Sequence, residues 1–129
     1  MNYETVELIK FRFNRAEESL EEATLLYNAG YFNTAVNRLY YACFYSVSAL
    51  LISEGISSAK HSGIRSLFNQ YWVKNGRIST EVGKFYKQIF EYRQKGDYSD
   101  FVSFDKDQIE ALIEESKIFV NIVKSKLPQ

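Results

Sequence analysis

The chain has 129 residues, 46% of them hydrophobic and 25% charged, a balance that excludes a disordered polymer and leaves enough apolar mass for one domain spanning 1–129. Lys plus Arg equals Asp plus Glu at 16 each, so no global field draws the protein to nucleic acid or membrane, and any such binding needs a local patch. One cysteine and one histidine exclude an intramolecular disulfide and a zinc site built on those ligands. Cys43 lies in an apolar stretch and reads as a small buried hydrophobe.

The N-terminus, MNYETVELIKFRF, is charged and lacks the apolar core of a signal peptide. Apolar runs stop short of the roughly 20 residues of a membrane span, so the expectation is a soluble, cytoplasmic protein with no membrane partner. The sole proline is Pro128, and strand-like alternation is missing. The fold class expected is all-α, a bundle of four to five helices.

The first helix is expected from about Thr5 to Ala29, with Val6, Ile9, Phe13, Ala16, Leu20, Ala23 and Tyr27 forming a seam at alternating spacings of three and four. Glu17, Glu18, Glu21 and Glu22 fall off that seam and read as a solvated face. Gly30 ends the helix. A second helix follows from Asn33, as N-cap, to Gly55 as its stop, giving an antiparallel hairpin. It carries two apolar rows: Ala35, Leu39, Ala42, Ser46 and Ala49, then Val36, Tyr40, Phe44, Val47 and Leu51. Two rows imply contact on two sides, and surplus apolar surface for a partner.

ISSAKHS, between Gly55 and Gly63, reads as a loop, with Ser58 or Ser62 capping a short third helix that Lys74-Asn75-Gly76 closes. Ser79 caps a fourth helix whose buried row is Val82, Phe85 or Tyr86, Ile89, Phe90 and then Arg93, with Gly96 as its end. DYSDFVSF is a loop. The fifth helix opens with Asp105 and Gln108 at capping-box spacing and shows one stripe from Ile109 to Leu127.

Phosphate-loop, metal and serine-nucleophile motifs are absent. Three polar positions stand out. Arg93 occupies a row that calls for something apolar, and a buried guanidinium needs partners. It is either paired with Asp97 to pin the helix end or part of a ligand or partner site. Arg38, beside Tyr40, Tyr41 and Tyr45, is either a groove or interface residue or a snorkelling side chain packed on the bundle. His61, between Lys60 and Ser62, is either a local packing residue or part of an anion site with Lys60 and Arg65.

AGYFNTAVNRLYYACFYSVSALLISEG, SAKHSGIRSLFNQYWVKNG and FEYRQKGDYSDF, in this order and spacing, resemble the small HEPN-domain proteins of prokaryotes. The resemblance covers about Leu20 to Val123. It implies an up-and-down helical bundle that dimerises, no cofactor or metal, and a minimal nucleotidyltransferase partner in toxin–antitoxin-type modules. Many members are metal-independent ribonucleases that carry an arginine followed, after four to six residues, by a histidine.

Here the run from Arg93 reaches Tyr98 instead, and a phenol, with an ordinary pKa of about 10, is a poor general base at neutral pH. The resemblance therefore leads to a non-catalytic, homodimeric module that binds the nucleotidyltransferase and a nucleotide or RNA. Arg38, Tyr41, Lys60, His61, Arg93, Asp97 and Tyr98 form its candidate groove. The alternatives are a ribonuclease toxin with a variant site, using Tyr98 or a displaced His61, and a purely structural dimer or adaptor.

Overall fold

Asn2 starts the first helix. In a computed structural model, which describes residues 1–99 and 101–128, its side chain accepts the Thr5 N–H at 2.8 Å, so α1 runs Tyr3–Asn28 rather than from Thr5. Gly30, at φ +86°, turns the chain into α2, Phe32–Ser53. Asn33 does not cap α2 as expected. It lies inside the first turn, and its Nδ2 donates to the Val102 carbonyl at 2.9 Å, tying the start of α2 to the loop before α5.

The expected loop up to Gly63 is shorter. α3, His61–Phe68, begins after Lys60, and neither Ser58 nor Ser62 caps it. The Ser58 Oγ accepts the Lys60 N–H at 3.2 Å, and its side chain fills the space that a Cβ on Gly63 would need. α3 runs straight into a wider π-helical turn, Asn69–Val73, closed by the Lys74 N–H donating to the Asn69 carbonyl at 2.7 Å.

Ser79 caps α4, Thr80–Tyr98, accepting the Val82 N–H at 3.3 Å. Asp105 caps α5, Lys106–Lys126, accepting from the Gln108 N–H at 2.8 Å. Both caps stand where the sequence places them. Gly96, however, does not end α4, which continues to Tyr98. Its missing side chain serves packing: a Cβ there would lie 3.3 Å from Phe104 Cε2. The loop expected over Asp97–Phe104 accordingly starts later, and its Asp100 lies outside the described residues.

Side-chain pairs fix the directions of the helices. Glu22 meets Arg38 and Arg15 meets Tyr45, so α1 and α2 run antiparallel. Tyr41 meets Arg93 and Asn37 meets Asp97, so α4 opposes α2. Tyr27 reaches Glu110 and Lys124 lies over Phe13, so α5 opposes α1. The result is an up-and-down bundle of α1, α2, α4 and α5, with α3 and the π turn laid against α2 and α4.

α2 is the hub. Ala35, Ala42 and Ala49 recur every seven residues and are fully buried, as are Ala16 and Ala23 on α1, so two short-chain surfaces let these helices approach closely. Leu39, Val47, Leu50 and Leu51 are equally buried. The apolar surplus expected to face a partner is thus largely consumed inside the chain by α1, α4 and α5. At the far end, Arg77 pairs with Glu54 through two nitrogens, at 3.0 and 3.2 Å, and stacks 3.5 Å over the Trp72 ring. That contact clamps the end of α2 to the α3–α4 connection. Among the described residues no helix is long and apolar enough to cross a membrane.

Candidate functional site

Where α2 and the last turns of α4 run side by side, helical spacing sets the polar groups in register. Asn37, Tyr41 and Phe44 follow one another on one face of α2, and Arg93 and Asp97 are one turn apart on α4. Because α4 continues through Gly96, Asp97 is held in helical geometry under Arg93. The Arg93 Nε lies 3.0 Å from Asp97 Oδ2, with side-chain exposures of 13% and 24%. The Nε–H does not aim squarely at that oxygen, so the contact is more Coulombic than hydrogen-bonded.

The other side of the guanidinium is taken by α2. Arg93 Nη2 donates to the Tyr41 hydroxyl at 3.2 Å, and the Arg93 Cζ is 5.5 Å from each of the Tyr40, Tyr41 and Tyr98 rings. Asn37 extends the network in both directions. Its Nδ2 donates to Asp97 Oδ2 at 2.9 Å, and its Oδ1 accepts from Arg38 Nη2 at 2.8 Å and Arg38 Nε at 3.1 Å. Arg38 stacks on Tyr41 at 4.8 Å, and its Nη1 lies 3.6 Å from Glu22 Oε1 on α1. A chain of alternating charge and amide therefore runs from Glu22 through Arg38, Asn37 and Asp97 to Arg93.

His61 arrives from the start of α3. Its ring lies 4.4 Å from the Phe44 centroid, 5.6 Å from Tyr41 and 5.7 Å from Tyr40. Burial first, and then the positive charge of Arg93, lower its pKa from the ordinary 6.5, so the imidazole is neutral at pH 7. Behind these rings, burial raises the phenol pKa values of Tyr40 and Tyr86. Neither phenol hydroxyl has a hydrogen-bond partner among the described residues.

The structure therefore gathers Arg38, Tyr41, His61, Arg93, Asp97 and Tyr98 around one aromatic wall. Lys60 is the exception: it is exposed ahead of α3, and among the described residues no ion pair joins it to the cluster. Two participants escape a reading of the sequence. Glu22 leaves the solvated face assigned to it and reaches Arg38. Asn37 is the joint of the network, and the available signal is an asparagine one turn before Tyr41 on an otherwise apolar helix. Chemically the cluster offers a cation with one edge committed to a carboxylate, a neutral imidazole and an exposed phenol, Tyr98, at 74% accessibility. Among the described residues no group of His, Cys, Asp and Glu could hold a metal ion.

Comparison with known proteins agrees with this architecture. A UPF0332 protein of Thermotoga maritima is 40% identical over 121 residues, covering 94% of this chain and 92% of the relative. A Methanocaldococcus jannaschii protein described as a candidate toxin is 35% identical over 113 residues, covering 88% and 77%. Two solved structures share the fold. One is the archaeal HEPN homologue ST0689, at TM-score 0.74 and 19% identity over 93% of this chain and 98% of that one. The other is TT1696 of Thermus thermophilus, at TM-score 0.77 and 16% identity over 92% and 98%. Residues 9–126, from the α1 seam to the last turn of α5, match the HEPN domain, and the chain belongs to that family.

Proposed function

We propose that the chain is a non-catalytic HEPN module, homodimeric, that pairs with a minimal nucleotidyltransferase in a toxin–antitoxin-type system. In this reading the Arg93 cluster receives a phosphate of a nucleotide or RNA. The observation that carries it is the state of Arg93. One edge of its guanidinium is held by Asp97 and the other by Tyr41, its Cζ lies 5.5 Å from the Tyr98 ring, and on the sequence resemblance Tyr98 occupies a position that the ribonuclease members give to histidine. Relatives described as candidate toxins support the module setting. The test is purified protein incubated with RNA in the presence of a chelator, beside an Arg93→Ala variant. Intact RNA is the expected result, and cleavage that disappears in the variant overturns the reading. Light scattering tests the homodimer, and co-purification with the product of a neighbouring gene tests the pairing.

One observation favours a second reading, a ribonuclease with a displaced base. His61 is neutral and shares the Tyr40 and Tyr41 rings with Arg93. If RNA is cut in the first test, loss of cutting in His61→Gln identifies this histidine as the base.

A further inference from the structure

Past the Arg93 cluster, α3, the π turn and the first half of α4 border a half-open pocket of about 330 Å³, within the range of small-ligand sites. Its lining includes Phe68 and Tyr86 together with Arg65, Lys84 and Lys87. No carboxylate lines it among the described residues, a local excess of positive charge in a chain whose formal net charge is zero.

These cations are poorly neutralised. Among the described residues no ion pair involves Arg65 or Lys87. Arg65 instead rests its guanidinium 4.5 Å over the Phe90 ring, which positions its plane and leaves its N–H donors available. Lys84 has only a 3.8 Å contact with Glu81, between side chains 71% and 84% exposed, which is worth little in water. The walls are also fixed in place. A Cβ on Gly83 would lie 2.8 Å from Val73 Cγ1, so the bare glycine lets the π turn seat directly on α4.

We propose that this pocket binds a small oligophosphate, free or carried on a larger small molecule, through Arg65, Lys84 and Lys87. The arginine supplies a fork for two phosphate oxygens, and the lysines act as point charges on the neighbouring groups. The site shares no lining residue with the Arg93 cluster and stands whether or not that cluster binds anything.

The test is amide NMR of the full chain titrated with inorganic tripolyphosphate, with ATP and with adenosine. Tripolyphosphate and ATP are expected to shift the amides of Ser66, Asn69, Gly83 and Lys87, and adenosine is not. Their relative affinities tell a free chain from a nucleotide. The Lys84→Ala/Lys87→Ala variant removes two exposed side chains and is expected to bind about tenfold more weakly, with the difference shrinking as salt rises. A Lys10→Ala/Lys106→Ala variant carries the same charge change elsewhere and is expected to bind like the wild type. Unchanged binding in the first variant overturns the proposal. So do shifts confined to other residues, or no shift with either phosphate.

Discussion

Asn37 and Arg93 share one oxygen. Asp97 Oδ2 accepts from Asn37 Nδ2 at 2.9 Å and lies 3.0 Å from Arg93 Nε, so an uncharged amide on α2 steadies an ion pair that lies within α4. Asn37→Ala removes that tie and the acceptor for Arg38 together. It is expected to cost about 1 kcal/mol in urea unfolding, the worth of a partly exposed hydrogen bond to a charged group. A double-mutant cycle of Asn37→Ala with Asp97→Ala should return a coupling of about 0.5–1 kcal/mol. Strict additivity would mean that the two residues are neighbours without interacting.

His61 makes stability depend on pH in one direction. Its folded-state pKa is below the ordinary 6.5, so as pH falls the unfolded chain takes up the proton first. The contribution is therefore complete above about pH 6.5 and is lost as pH falls through the folded-state value. Between about pH 7.5 and 5 the wild type should lose more stability than a His61→Phe variant. Because the chain has a single histidine, its ring resonances report the titration directly. A midpoint at or above the ordinary value would contradict the burial against Phe44.

Two helical glycines should respond differently to alanine. At Gly83 the new methyl meets Val73 Cγ1 at 2.8 Å and Cγ2 at 3.0 Å, and Gly83→Ala is expected to destabilise by about 1–3 kcal/mol. Val73→Ala in the same chain should recover part of the loss. At Gly96 the nearest atom is Phe104 Cε2 at 3.3 Å, and the helix gains roughly 0.5–1 kcal/mol from losing a glycine. Gly96→Ala should therefore stay within about 1 kcal/mol of the wild type. Equal tolerance at both sites would show that the π turn is not seated against α4.

Cys43 is fully buried, and burial pushes its thiol pKa up. A thiol reagent should label native protein only as fast as the core opens. The labelling rate is expected to rise with urea in step with unfolding. Fast labelling in buffer alone would place Cys43 at a mobile surface.

Much of this was legible residue by residue. Ser79 and Asp105 read correctly as caps because each stands just before an apolar periodic run, where only one helix start fits. Asn33 did not, since its amide looks the same whether it caps its own helix or reaches the distant Val102 carbonyl. Gly96 misled for a related reason: a glycine near a helix end signals a stop unless something packs against it, and here that something, Phe104, comes from the next loop. Within the candidate site the arginines announced themselves by breaking apolar rows. Asn37 and Glu22 broke nothing, so only the antiparallel register of α1, α2 and α4 reveals what they touch.

The π turn over Asn69–Val73 has a consequence for how this face is encoded. A π turn uses about one residue more than an α turn to cover nearly the same rotation, so deleting one residue there would restore an ordinary period and leave the preceding helix on nearly the same face. His61 would stay at the Tyr40–Tyr41–Phe44 wall and Arg65 at Phe90, whereas a deletion between the two, where the helix is regular, would turn one away from the other by about 100°. The turn is thus the one stretch of this face where residue number is free to change by one, and a homologue with one residue fewer there would present the same side chains.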